Sequence, residues 1–257
     1  MGRRKYSADD YEIEEEIRSM ETWRNEQGYK DQKKELANLS VTVKCKTPGQ
    51  KELIKAIRSK EVTFCAGMAG TGKTYLACAQ AAKMLKSFAK YEKIIIAKSV
   101  TAIPGEEIGF LKGSWQEKME PFMWSYWTNF EKIIGKAELS RLRNMGLIEV
   151  WPLAFIRGSN IDNTITIVDE AQNITKGTMK TILTRLGKDS KMIFLGDEDQ
   201  IDLKKKQDSA LNFYIDKFSD FDPFGIVRLT ADDEVRNPLI RKYLEKLDEI
   251  ESSAQND

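Results

Sequence analysis

The stretch GMAGTGKT (residues 67–74) places Gly67, Gly72, Lys73 and Thr74 at the spacing G-x-x-x-x-G-K-[ST]. Glycines at these places let successive backbone N–H groups turn toward one anion. A helix beginning at the lysine adds the partial positive charge of its N-terminus. In such a loop Met68, Ala69, Gly70 and Thr71 complete the cradle, and Lys73 reaches the β- and γ-phosphates of a nucleoside triphosphate. The Thr74 hydroxyl would coordinate Mg²⁺. Further along, TITIVDEAQN carries Asp169 and Glu170 directly after an apolar run. Asp169 can hold Mg²⁺ through water, and Glu170 can orient or deprotonate an attacking water. A strand-to-helix turn with an acidic cap is the plainer alternative. A second acidic stretch, GDEDQID (196–202), follows the apolar run KMIFL. Its acids could chelate a metal, form a solvated turn or sit beside a nucleotide.

These residues need a scaffold that brings them to one rim. From about residue 50 the pattern alternates. QKELIKAI, KTYLACAQAAKML, TKGTMKTILTRLG, SALNFYIDKF and NPLIRKYLEKLDEI have helical periodicity, while EVTFCAG, KIIIAKS, TITIVDE, KMIFLGD and GIVRLT read as continuously apolar strands. Such alternation predicts an α/β fold, with a mainly parallel sheet covered by helices on both faces. The stretch 101–160 has less clear periodicity, although Phe122, Tyr126 and Phe130 fall at i, i+4, i+8. Asp169 and Asp197 are separated by about one strand–helix–strand unit of roughly 30 residues. Asp197 therefore ends a strand parallel to the one ending in Asp169, and GDEDQ reaches the nucleotide rim. Gln200 then becomes a candidate reader of the γ-phosphate, with Asp197 a carboxylate near Mg²⁺ or water. Four carboxylates beside a phosphate would repel it, so Glu198, Asp199 and Asp202 are expected in solvent or on loop amides. Gln50 precedes the first strand, and its amide can donate and accept at once, as an adenine edge requires. An ordinary surface position near a helix start explains it equally well.

Composition limits the alternatives. The chain has 257 residues, 41 Lys and Arg against 40 Asp and Glu, and no histidine. The missing histidine excludes Ser-His-Asp and Cys-His catalysis and histidine metal ligation. The near-zero net charge means that any nucleic-acid contact must come from a local patch. Cys45, Cys65 and Cys78 lack zinc spacing and read as reduced thiols of a cytoplasmic protein. MGRRKYSADD has no apolar segment of a secretory signal, Tyr6 breaks the myristoylation pattern, and no run approaches a membrane span. Residues 1–42 are charge-dense, with Ile13, Ile17, Met20 and Trp23 at helical spacing, and are expected to form a helical arm. Residues 43–250 are expected to be the ATPase domain, and 251–257 a frayed tail.

AGMAGTGKTYLA, GEEIGFLKG, WPLAFIRGSNIDN, TIVDEAQN, MKTILTRLGKDSKMIFLGD, QIDL and DEVRNPLI occur in that order. In this combination the chain resembles the PhoH-like P-loop ATPases, including members carried by bacteriophages, over roughly residues 45–245. PLAFIRG followed by VDEAQN and GDxxQIDL is specific, whereas the phosphate loop alone is not. The resemblance implies a RecA-like core that binds ATP with Mg²⁺ and hydrolyses it, similar to the first motor domain of superfamily-one helicases. It implies Gln50 as adenine reader and GDxxQ as the element coupling nucleotide state to movement. It also implies a ring-forming homo-oligomer, of which a hexamer is one form, and single-stranded RNA or DNA as partner. For a phage-encoded member the location would be the host cytoplasm. The sequence departs from the pattern at KSVTAIPGEEIGF, where Lys98 stands where the family often has an arginine followed by proline. A lysine does not reproduce bidentate arginine geometry. It departs again at Lys204 and Ala210, where proline and glycine are commoner.

An arginine can stabilise γ-phosphate charge in the transition state. Arg236 in EVRNP ranks first because it lies between a strand end and a helix; Arg157 in FIRG and Arg185 in LTRLG follow, and one could act on a neighbour's ATP. Structural salt bridges are the alternative for each. The aromatic run PFMWSYWTNF (121–130) could stack on bases, but no lysines interleave with its rings, which favours core or subunit packing. The run Lys204–Lys206 reads as a solvated face rather than a phosphate contact. The leading function is an Mg²⁺-dependent ATPase acting on nucleic acid. A nucleotide-gated assembly protein with little turnover and a P-loop small-molecule kinase are the alternatives.

Overall fold

The computed structural model describes residues 36, 39–87, 90–98, 120–203 and 205–235, together with the single positions 239, 243 and 246. The expected N-terminal helix, the GEEIGFLKG segment, Lys204, Arg236 and the tail lie outside the described residues.

Among the described residues, six strands form one parallel sheet: β1 (Val62–Gly67), β2 (Lys93–Lys98), β3 (Ile148–Pro152), β4 (Thr164–Asp169), β5 (Lys191–Gly196) and β6 (Phe224–Leu229). Their order is β3-β2-β4-β5-β1-β6, and all five pairings are parallel. The helices are α1 (Pro48–Ser59), α2 (Lys73–Ser87), α3 (Trp124–Ile134), α4 (Lys136–Asn144), α5 (Leu153–Ile156), α6 (Lys176–Leu183) and α7 (Ala210–Lys217). This is the α/β arrangement expected from the alternating pattern, a parallel sheet with helices on both faces.

The central strands are mainly apolar because both faces are covered, whereas the edge strands β3 and β6 carry the half-buried Glu149 and the exposed Arg228. Alternate side chains along each strand enter different cores. Cys65, Ile94, Ile96, Ile165, Ile167, Ile193 and Leu195 pack under α1 to α4. Phe64, Ile95, Ala97, Val168, Met192 and Phe194 pack under α5 to α7. α2 lies close to the sheet because its inward face is built from Ala77, Cys78, Ala81 and Ala82. Cys65 and Cys78 are buried, and burial pushes the Cys65 thiol up to about 12, so it behaves as a small apolar residue. Leu36 and Leu39 belong to the first core, so the packed unit takes in residues ahead of position 43.

Register sets the site. β2 and β4 align Lys98 with Asp169, β1 and β5 align Ala66 with Gly196, and β1 and β6 align Gly67 with Leu229. The C-terminal strand ends, and the loops leaving them, therefore share one rim, where open α/β sheets bind their ligands. In the aromatic run, Tyr126, Trp127 and Phe130 are buried, as the packing argument expects, whereas Trp124 is 74% exposed. No helix among the described residues is long and apolar enough to cross a membrane.

Candidate nucleotide site

The loop from Gly67 to Gly72 joins β1 to α2 in a conformation that side chains would resist. Gly70 and Gly72 have φ of 94° and 84°, in the region glycine enters without steric cost. At Gly67 an added Cβ would lie 2.8 Å from the Leu229 Cβ, so glycine lets the loop pass close to β6. The loop is braced from several sides. The Thr71 hydroxyl donates to the Met68 carbonyl at 2.8 Å, and the Val235 N–H donates to the Gly70 carbonyl at 3.1 Å. The Lys73 ammonium donates to the carbonyls of Gly67 and Met68.

Gln50 lies beneath this loop and is buried. Its amide donates to the Thr71 carbonyl at 3.0 Å and its oxygen accepts from the Lys46 N–H at 2.7 Å. In the structure it therefore ties α1 to the phosphate loop. Thr47 caps α1, and its hydroxyl also donates to Asp233. The Asp233 carboxylate accepts the Thr230 N–H at 3.0 Å. Burial alone would raise its pKa, but hydrogen bonds from Thr47, Thr230 and Gly49 hold it below the usual carboxylate value.

Asp169 closes β4 and is buried. Burial, then the neighbouring Glu170 charge, raise its pKa, while Lys98 and the Glu170 N–H act in the opposite direction. Glu170 leaves the strand with φ 53° and ψ 38°, a left-handed conformation costing roughly 1–3 kcal/mol in a side-chain-bearing residue. Its carboxylate is held twice: Oε1 lies 3.5 Å from Lys98 Nζ, and Oε2 accepts from Gln172 Nε2 at 2.7 Å.

Gln172 and Asn173 are the residues sequence reasoning missed. Gln172 is fully buried, donates to the Gln200 carbonyl at 3.0 Å as well as to Glu170, and accepts the Asp197 N–H at 3.1 Å. Asn173 grips the next turn, donating to Asp202 Oδ2 at 3.1 Å and accepting the Asp202 N–H at 2.7 Å. Four side-chain bonds thus bind DEAQN to GDEDQID. Within the second stretch, Asp197 Oδ2 accepts from the Ala69 N–H and from Gln200 Nε2, both at 3.1 Å. Asp197 therefore connects the phosphate loop to Gln200. Glu198 pairs with Arg228 rather than with a loop amide. No group of three or more acidic or thiol side chains among the described residues could hold a metal, so the chelating reading of GDEDQID has no support.

Ala69, Gly70, Gly72, Lys73, Thr74, Asp169, Glu170, Asp197 and Gln200 line one cleft of about 460 Å³. Lys98, Ser125 and Asn129 line it as well. The last two come from α3, where they are polar positions four residues apart in the aromatic run. That spacing was the available signal for them. On the same helix the Tyr126 hydroxyl is fully buried beside Asp169. Burial and then the Asp169 charge push its pKa well above the ordinary phenol value. Gln50 backs the loop instead of lining the cleft. Arg157 is exposed beyond α5, away from the lining. Arg185 precedes β5 beside the bridge from Ile161 to Leu186, at the opposite end of the sheet, so it cannot reach this cleft within one subunit. The hard oxygen donors Thr74 and Asp169, within one cleft and without competing thiol or imidazole, fit Mg²⁺.

Residues 42–248 match the family described as PhoH-like protein. The chain is 39% identical over 207 residues to a PhoH-like protein of Bacillus subtilis, covering 80% of this chain and 64% of that protein. It is 39% identical over 212 residues to a PhoH-like protein of Synechocystis, covering 82% and 64%. It is 36% identical over 197 residues to the protein PhoH of Escherichia coli, covering 76% and 55%. The chain thus spans less than two thirds of the length of these curated relatives. Among solved structures, the SWI2/SNF2 ATPase core of Sulfolobus solfataricus, in complex with dsDNA, aligns with a TM-score of 0.41 and 14% identity, over 75% of this chain and 45% of that one. The large terminase of a thermophilic bacteriophage aligns with a TM-score of 0.44 and 11% identity, over 77% and 49%.

Proposed function

Because the chain belongs to the PhoH-like protein family, we propose that it binds ATP with Mg²⁺ and hydrolyses it, coupling hydrolysis to single-stranded RNA or DNA as a ring-forming homo-oligomer. The observation that carries the ATPase reading is the convergence of the phosphate loop with Asp169 and Glu170 in one cleft. The amides of residues 67–74 and the α2 N-terminus bind the phosphates, and Lys73 exchanges its carbonyl partners for phosphate oxygens. Thr74 and Asp169 would hold Mg²⁺, which neutralises charge on the phosphates. Glu170 orients the attacking water and takes its proton. Gln200, joined to Asp197 and through it to Ala69, reports on the terminal phosphate. Gln50 sets the base end of the site through its hold on Thr71. Arg157 or Arg236 completes the site of a neighbouring subunit, which accounts for Arg157 standing away from its own cleft.

The test is phosphate release with and without single-stranded RNA or DNA, for the wild type, Glu170→Gln and Lys73→Ala. Turnover that rises with nucleic acid and drops at least a hundredfold in Glu170→Gln supports the reading, the range expected for loss of general-base chemistry being about 10²–10⁴. ATP binding without turnover in the wild type would leave the nucleotide-gated assembly protein. Phosphate transfer to a small acceptor, with no free phosphate, would leave the kinase. Unchanged ATP affinity in Lys73→Ala removes the site assignment itself.

A further inference from the structure

Lys98 ends β2 opposite Asp169 and lines the cleft with Lys73 and Thr74, outside the phosphate loop and the Mg²⁺ ligands. Its ammonium lies 3.5 Å from Glu170 Oε1, while Gln172 takes Oε2 at 2.7 Å. Both oxygens of the Glu170 carboxylate therefore face a donor. A carboxylate in that condition is a weaker base toward a water proton, because the hydrogen bond and the ammonium charge favour its ionised form.

We propose that Lys98 is a positioning residue that senses the terminal phosphate. It holds Glu170 until the γ-phosphate of ATP draws it away, which frees Oε1 for the attacking water. The proposal rests on the cleft being the nucleotide site and adds to it a discrimination between ATP and ADP. The chemistry favours the exchange. The ion pair is long and partly exposed, with side-chain exposures of 22% and 34%, and pairs of that kind are weak. Charge-assisted bonds to phosphate oxygens are stronger. A lysine ammonium, with three donors on a flexible four-carbon stem, can swing between two anions more readily than the planar guanidinium of arginine. A base poised for water attack at the γ-phosphorus lies beside that phosphate, so its ion-pair partner lies within reach of it too. ADP, without the γ-phosphate, leaves the pair intact.

Mg-ATP and Mg-ADP dissociation constants, measured by titration calorimetry, test this independently of turnover. Lys98→Met should weaken ATP about tenfold, the worth of one charge-assisted hydrogen bond, and leave ADP unchanged. Lys98→Arg should keep the preference for ATP. Glu170→Gln should bind ATP more tightly than the wild type, because no ion pair is broken, and the double variant with Lys98→Met should lack that gain. Lys98→Gln carries the same expectation as Lys98→Met if the latter melts early. An ATP-to-ADP ratio that does not fall in Lys98→Met or Lys98→Gln overturns the proposal. A Lys73→Ala protein that binds both nucleotides like the wild type instead overturns the assignment of the cleft, so the two failures are distinct.

Discussion

Replacing Gln172 by glutamate changes one atom type at the junction of the two acidic stretches. The new oxygen would take the place of Nε2, 2.7 Å from Glu170 Oε2 and 3.0 Å from the Gln200 carbonyl. Two unit charges at 2.7 Å repel by about 6 kcal/mol at an effective dielectric of about 20. The pair can escape by sharing a proton. Protonating an ordinary glutamate at about pH 7.5 costs about 4 kcal/mol, since its unperturbed pKa is about 4.3 and each unit is worth about 1.4 kcal/mol. That cost is the ceiling. Partial exposure of Glu170 lowers it through solvent screening, giving an expected loss of about 2–4 kcal/mol. The sign with pH follows from linkage. The folded pair has a raised pKa, so the folded protein holds the extra proton between about pH 4.3 and that value, and stability falls as pH rises through this window. Urea unfolding should therefore separate wild type from Gln172→Glu by more at about pH 7.5 than at about pH 5, where protonation costs about 1 kcal/mol and the rest of the loss is the Gln200 carbonyl, which the single carboxylic proton cannot serve together with Glu170. Gln172→Leu is the control. It strands the Asp197 N–H and the Gln200 carbonyl, costing about 1–3 kcal/mol each at both pH values. A Gln172→Glu protein as stable as wild type at pH 7.5, or equally destabilised at both pH values, would refute the reasoning.

Two further perturbations follow from buried charges. Lys191 is buried at the start of β5, its ammonium donating to the Lys60 carbonyl, and burial lowers its pKa from 10.5 to about 8. Stability should rise between pH 8 and 10.5, where the unfolded chain binds the proton and the folded one does not, and Lys191→Met should flatten that rise in thermal melts while gaining about 1–3 kcal/mol near neutral pH. Asp233 has a lowered pKa, so its contribution is complete above the unfolded value and is lost as pH falls through the folded one. Asp233→Asn should cost about 1–3 kcal/mol at pH 7 by weakening bonds to Thr47 and Thr230, and the difference from wild type should vanish in acid unfolding curves.

Much of the scaffold was legible because β1, β2, β4 and β5 are unbroken apolar runs and α2 carries a small-residue face. β3 was not. Its five residues, IEVWP, hold a glutamate and a proline, because an edge strand is only half enclosed; Glu149 ion-pairs there with Lys93. α3 and α4 are not among the helices the alternating pattern gives, although Phe122, Tyr126 and Phe130 stand at the i, i+4, i+8 spacing of the face that α3 buries. At the candidate site, the glycine-rich loop and Asp169–Glu170 were legible as one group of candidates because their residue types and spacing are local, and the structure brings them to one cleft. Gln172 and Asn173 were not. Their meaning depends on the 196–202 loop folding back over them, a contact between segments 25 to 29 residues apart that no local pattern encodes. The bond from Ala69 to Asp197 spans 128 positions and is equally silent in the sequence.

The phosphate loop is held by bonds of its own: Lys73 to the carbonyls of Gly67 and Met68, and the Ala69 N–H to Asp197. A nucleotide that recruits those donors must displace acceptors already serving them. Its affinity is then an exchange between two satisfied networks, and the observed binding energy is the small difference between large terms. Substitutions that weaken the internal acceptors can therefore tighten nucleotide binding. Asp197 is where such a gain would surface, because releasing Ala69 also releases Gln200, and tighter binding there would come with a slackened link to the rest of the rim.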